Sequence, residues 1–142
     1  METELLFEIS FELADPLVIS GSPEGDRYVI YVKTGKFSGP RLAGEVLPGG
    51  GDWFLVRPDG VGTLDVRVVL KTDDGDLIYV TYRGIAKLPP GGIATGQPFP
   101  IRTAPSFFVS SNSKYKWLNS VQAVGEGEPI PGGVRYRVFE VR

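Results

Sequence analysis

Neither cysteine nor histidine occurs among the 142 residues, and these two absences remove more chemistry than anything else in the chain. Thiol nucleophiles, disulfide scaffolds, Cys/His zinc sites and imidazole-ligated haem are all excluded. A Ser-His-Asp triad is excluded with them, so any general acid or base must be Asp, Glu, Lys or Tyr, and any metal site would have to be oxygen-rich. No stretch reaches about 18 apolar residues. The acidic start, Met1 to Phe7, lacks the basic and apolar regions of a secretory leader. With 15 basic against 17 acidic side chains the formal charge is −2, which leaves no basic footprint for nucleic acid. The resulting expectation is a cytoplasmic protein with no membrane or nucleic-acid partner, no metal and no cofactor.

What is abundant is turn-forming sequence. Gly 19 and Pro 12 accompany a composition 42% hydrophobic and 23% charged, which suits one globular domain over residues 1–142 built from short elements. Period-2 patterns dominate. From Glu4 to Leu13 the odd positions Leu5, Phe7, Ile9, Phe11 and Leu13 are apolar, with only Leu6 breaking the alternation, so one face of a strand is buried. Asp52 to Arg57, Thr63 to Leu70 and Asp76 to Arg83 are strands separated by Pro58-Asp-Gly60 and Thr72-Asp-Asp-Gly75; turns this short join antiparallel neighbours into a meander. Arg27 to Lys33, Phe99 to Val109, Val121 to Gly125 and Gly133 to Val141 read as further strands, and Leu88 to Pro98 as a long loop. Ser111 to Asn119 carries N-cap residues and about two turns of helix-compatible sequence. The expected fold is all-β: a closed antiparallel barrel of about eight strands, lipocalin-like, with one short helix, because closure removes the sheet's edges. A sandwich is the rival.

Several short motifs follow one another at family-like spacing: Phe37-Ser-Gly with Arg41-Leu-Ala-Gly44, Gly49-Gly-Gly-Asp-Trp53, Arg57-Pro-Asp-Gly60, Leu64-Asp-Val-Arg67, Thr72-Asp-Asp-Gly75, Arg102-Thr-Ala-Pro105, Tyr115-Lys-Trp-Leu-Asn119 and the closing Tyr136-Arg-Val-Phe-Glu-Val141. Through them the chain resembles the uncharacterised-protein family catalogued as domain of unknown function three-two-three-seven. The resemblance implies a compact antiparallel β-barrel, a homo-oligomer such as a dimer or trimer, and in most members no assigned activity. Some fungal members are cyclases of natural-product pathways that close an oxygen heterocycle by intramolecular hydroalkoxylation, adding a hydroxyl across a carbon–carbon double bond. The chain departs from the family pattern at Leu88 to Pro98 and at Pro100-Ile101.

Asp65 and Arg67 share one strand face, with Arg57 and Asp59 on the neighbouring strand and turn. If that face lines the lumen, Asp65 becomes a desolvated acid or base, and Arg57 and Arg67 hold an oxyanion or carboxylate. If it faces outward, the same residues make a surface salt bridge. The apolar set Leu64, Val66, Val68 and Leu70 favours the second arrangement, since the more apolar face goes inside. Tyr79 is the candidate phenolic proton donor. Trp53, Tyr115, Trp117 and Asn119 are candidate substrate-binding residues for a planar organic molecule. Gly49-Gly-Gly51 lacks the helix and Lys-Ser/Thr of a phosphate loop, and Asp73-Asp-Gly-Asp76 lacks the glutamate of a calcium loop. The leading expectation is a cofactor-independent cyclase or isomerase working by proton transfer on a small organic substrate. The alternatives are a non-catalytic small-ligand barrel and a structural oligomer. An enzyme needs an open lumen with a buried ionisable cluster, a carrier an open lumen without one, and a structural protein no lumen at all.

Overall fold

The computed structural model describes the whole chain, Met1–Arg142. Its strands are β1 (Thr3–Leu13), β2 (Leu17–Ser22), β3 (Gly25–Ser38), β4 (Ala43–Val46), β5 (Gly51–Val56), β6 (Gly62–Thr72), β7 (Leu77–Ala86), β8 (Ile101–Thr103), β9 (Ser106–Val109), β10 (Ala123–Ile130) and β11 (Gly133–Val141). Antiparallel pairing runs β1-β3-β5-β6-β7-β8-β10-β11 and returns to β1, so eight strands close an up-and-down barrel. The three remaining strands complete interrupted staves. β2 prolongs β1 along β3, β4 shares with β5 the slot between β3 and β6, and β9 follows β8 along β7. All three interruptions contain a proline, Pro16, Pro48 and Pro105, which has no N–H to give a ladder.

Strand parity sets the inside. Leu64, Val66, Val68 and Leu70 of β6 are buried, as are Ile78, Val80 and Tyr82 of β7, within a core of 26 residues. The lower end is plugged by Leu42, Tyr115 and Leu118. Mid-barrel the side chains leave a cavity of only about 20 Å³ beneath Tyr82 and Tyr136, room for one water at most. At the upper end, where β5 stops and β6 begins, Leu13, Tyr28, Ile30 and Val134 are only partly buried, and the β2–β3 hairpin rises past the rim.

Two expectations are refined. The short helix is a 3-10 turn, Lys116–Ser120, and a second such turn, Ile93–Thr95, lies in the long loop. Tyr115 stands at the N-cap of that first turn without a side-chain cap, and just before it the Ser113 hydroxyl donates to Asp76 and accepts from Tyr115 N–H. Leu6, which broke the alternation of β1, sits at a register shift between Leu5 and Phe7. The resulting bulge buries both Leu6 and Phe7, and it depends on Gly39, whose missing Cβ would lie 1.8 Å from the Leu6 carbonyl oxygen. Gly39→Ala is expected to cost about 3 kcal/mol or more through overpacking against backbone. Urea unfolding of the variant measures it, and an unchanged midpoint would show that the bulge tolerates a methyl group.

Candidate functional site

The expected cluster of carboxylate and guanidinium groups does not form in the lumen. Asp65 and Arg67 lie on the outer wall, 3.9 Å apart, Asp65 half-buried and Arg67 exposed, because β6 turns its four apolar residues inward. Arg57 is spent on Asp59, with Nε and Nη2 at 3.1 and 2.7 Å from its two oxygens. Asp59 also accepts from Val61 N–H, so this pair fastens the β5–β6 hairpin. Tyr79 faces outward against Phe108, ring centroids 6.5 Å apart. Of the candidate catalytic and aromatic residues, the structure brings together only Trp53, Asp65 and Arg67, the Arg67 guanidinium lying 5.5 Å from the Trp53 ring.

The candidate binding residues at the foot of the barrel serve the fold. Tyr115 donates its hydroxyl proton to Asp74 (3.0 Å), which also takes Thr72 Oγ1 (2.6 Å) and pairs with Lys114. These contacts, Lys114 foremost, hold the Asp74 carboxyl well below the usual carboxylate range. Asn119 acts as a substitute strand: its Oδ1 accepts from Val109 N–H at 2.8 Å and its Nδ2 donates to Val109 C=O at 2.9 Å, closing the edge that β9 would otherwise leave open. Trp117 lies under the Arg41 guanidinium, 4.0 Å from it.

A residue outside the expected set occupies the barrel mouth. The register pairs Asp52 with Ile30 of β3 and Val66 of β6, both on the inner face, so the carboxylate points into the barrel. It is held by a broken rung. The hydrogen bonds Val32 N–H to Gly50 C=O and Arg57 N–H to Val61 C=O fix the alternation on either side of β5, and by that alternation Trp53 and Asp65 should exchange bonds. Instead Asp65 N–H donates to Asp52 Oδ1 at 3.0 Å, and Arg27 Nη1 donates to the Trp53 carbonyl at 2.7 Å. Each orphaned backbone group has received a side chain, as buried peptide groups require.

Desolvation dominates the electrostatics of Asp52. Burial raises its pKa to about 7, the nearby Asp65 charge adding to the rise while the Asp65 amide and the Arg27 charge oppose it. On the barrel floor the Tyr82 and Tyr136 rings meet edge-on at 5.6 Å and their hydroxyls interact. Burial pushes both phenols above their ordinary range, and the Asp52 charge pushes them further. The mouth therefore presents one carboxyl group that titrates near neutrality, above phenols that stay protonated. No three acidic side chains converge as a metal-holding group. A concavity of about 910 Å³ is an open groove outside the wall, where Arg137 pairs with Glu8 and Glu126 and Arg135 with Glu128. The paired charges form a cross-strand ladder, and Lys36, Asp73 and Arg102 also line the groove.

Fold and site together define a small closed antiparallel β-barrel with a titratable carboxyl group at its mouth. The chain belongs to the family described as "Protein of unknown function (DUF3237)", whose model matches residues 1–141. It is 32% identical to a UPF0311 protein of Clostridium acetobutylicum over 150 residues, covering 99% of this chain and 94% of that protein. Among solved structures it is similar to a β-barrel-like protein of Acinetobacter baumannii, with TM-score 0.87 and 31% identity over 99% and 96% of the two chains. It is also similar to a protein of Penicillium herquei described as an enzyme, with TM-score 0.78 and 24% identity over 99% and 94%. That last likeness is one of fold. No helix is long and apolar enough to cross a membrane.

Two predictions follow from this geometry. Asn119→Ala strips Val109 of both side-chain partners and is expected to cost about 1–3 kcal/mol, with amide exchange at Val109 rising most; an unprotected Val109 amide in the wild type would refute the substitute-strand role. The unfolded chain gives up the Asp52 proton near pH 4, whereas the folded chain keeps it to about pH 7. The native state thus binds more protons between these values, and the stability that Asp52 contributes, complete below pH 4, is lost as pH rises through 7. Asp52→Asn is expected to gain stability relative to wild type between pH 5 and pH 8, on the order of 2 kcal/mol. Parallel stability profiles of the two proteins would contradict it.

Proposed function

We propose that the protein is a cofactor-independent enzyme that transfers a proton within a small, largely apolar organic molecule, with Asp52 as its acid and base. The observation that carries this reading is the inward-facing Asp52 carboxyl group, whose Oδ1 is taken by the Asp65 amide while Oδ2 has no protein partner and is not sealed from solvent. A carboxyl titrating near neutrality is matched to proton transfer at physiological pH. The apolar rim of Leu13, Tyr28, Ile30 and Val134 suits a hydrophobic substrate. The filled lumen below confines the reacting part of that substrate to the mouth.

The reaction that fits is ring closure of an unsaturated alcohol or phenol. Asp52 delivers its proton to one carbon of the double bond, the substrate oxygen bonds to the other, and the hydroxyl proton returns to the Asp52 carboxylate. Atoms balance without metal, nucleotide or oxidant. The same exchange performed at a carbon next to a carbonyl is a double-bond isomerisation. Holding oxygen and alkene in contact against the rim supplies the proximity on which such steps depend.

Incubation of the protein with a panel of phenols bearing a neighbouring alkenyl chain tests this. Turnover in D2O is expected to give cyclic product of unchanged composition with one deuterium on carbon. The rate should fall as pH rises above 7 and drop about 10²–10⁴-fold in Asp52→Asn, while Tyr79→Phe, on the outer wall, stays within about twofold. The cavity of only about 20 Å³ favours a second reading, a barrel whose role is structural. Binding or turnover by none of the panel, with Asp52→Asn merely more stable, would move the assignment there.

A further inference from the structure

The broken rung poses a question that the acid alone does not answer. Trp53 C=O and Asp65 N–H stand opposite each other in a ladder that is intact on both sides, at Gly51–Arg67 with Asp52–Val66 and at Leu55–Thr63 with Val56–Gly62. Left to themselves they would bond to each other. Two side chains prevent it, one on each half of the rung: Asp52 from within the barrel and Arg27 from β3. Arg27 pairs in register with Leu55, so its stem starts on the outer face, and its second nitrogen faces Glu24 at 4.0 Å. The two bonds depend on each other. If the Trp53 carbonyl is released, it can take back the Asp65 amide, and the amide that holds Asp52 is gone.

We propose that Arg27 is a positioning residue: by occupying the Trp53 carbonyl it keeps the β5–β6 rung open and so holds the Asp52 carboxyl group on the Asp65 amide. This rests on the reading of Asp52 as the proton-transfer group, and extends it to how the group is set in place. The rung has two discrete states. Open, it pins Oδ1 and leaves Oδ2 to the mouth. Closed, it restores a normal ladder and frees the carboxylate to swing toward water. Arg27 selects between them from the opposite side of the wall, without touching the substrate. The guanidinium suits this task, because a planar cation can donate to a carbonyl in the plane of the sheet while a second nitrogen stays turned toward Glu24.

The two roles open to Arg27 move Asp52 in opposite directions. The groups facing Asp52 are Arg27 of β3, Asp65 of β6, Tyr82 of β7 and Tyr136 of β11. If Arg27 acts only as a nearby positive charge, its removal leaves the carboxyl buried beside Asp65, and the Asp52 titration moves up. If it is the latch, its removal closes the rung, the carboxyl reaches water, and the titration falls toward the usual value of about 4.

Carboxyl-carbon and amide NMR on the intact chain separates these outcomes. In the wild type the Asp65 amide shift is expected to follow the Asp52 titration, with one midpoint near 7. In Arg27→Met the Asp52 midpoint should fall by two or more pH units and the Asp65 amide should cease to follow it. Arg27→Lys, which can still reach a carbonyl, should restore both in part. A rise of the Asp52 midpoint in Arg27→Met, with the amide still following, overturns the latch. So does a wild-type Asp65 amide that ignores the Asp52 titration, an observation that stands even if Arg27→Met fails to fold. None of these readouts uses turnover, so an Asp52→Asn variant of undiminished activity would remove the catalytic role of Asp52 and leave the latch result in place.

Discussion

The pairing of β1 with β11, running from Thr3–Val141 to Glu12–Gly133, is the contact on which the remainder depends. It turns an open sheet into a ring of eight strands. A ring of that size has an interior that side chains can fill, and closure decides for every strand which face is enclosed. Each inward side chain then sits in a space of fixed diameter, where Phe7, Phe11, Tyr82 and Tyr136 are among those that close round the small central cavity. Little is left in the middle. Room for a ligand inside the ring is thereby confined to the ends, and of these the lower is plugged by Leu118 and Tyr115.

This enclosure explains why one inward carboxyl matters more than a cluster of outward ones. On the outer wall Asp65 and Arg67 remain hydrated, and their interaction is of the kind worth about 0–1 kcal/mol. Asp52 faces a medium in which its charged form is penalised, so its proton is retained to about pH 7. The enclosure also sets the cost. A polar group placed in a barrel wall must have a partner, and the nearest available one was a backbone amide already committed to the ladder. Drawing on it opened a rung and obliged Arg27 to complete the exchange.

Parity made most of the fold legible in the sequence. The alternation in β1 and β6 predicted both buried faces, and the short Asp-Gly turns predicted the β5–β6–β7 meander. Leu6, the apparent flaw in β1, was the visible sign of a bulge. What parity alone did not reveal was the site. Asp52 stands at the end of Gly49-Gly-Gly51, where glycine suggests a turn rather than a strand, so its inward phase shows only when it is counted back from Phe54. Arg27, at the head of another strand, bears on Asp52 through a carbonyl 26 residues away, a contact that no local pattern encodes. Tyr115, Trp117 and Asn119 drew attention because polar and aromatic residues converge there, but convergence of that kind also describes a capped barrel end. Asn119 shows the ambiguity: the amide that would orient a ligand is the amide that closes the edge of β9.

Regular strand pairing gives way to a buried ionisable group at a single place in this barrel. Replacing Asp52 and Arg27 by apolar residues would let Trp53 and Asp65 bond directly, complete the β5–β6 ladder and remove a desolvated carboxyl group. On stability alone the altered wall is the better one. The same reasoning does not apply to the Arg57–Asp59 pair, the Tyr115–Asp74 contact or the Asn119 clamp, each of which supplies bonds that the fold would otherwise lack. The broken rung thus differs in kind from the other polar features of the molecule, since it gives up regular structure to hold one ionisable group at the rim of an apolar cup. Departures from local regularity of that sort cluster at functional sites. That contrast, more than the presence of charge, distinguishes Asp52 from the other carboxylates of the chain.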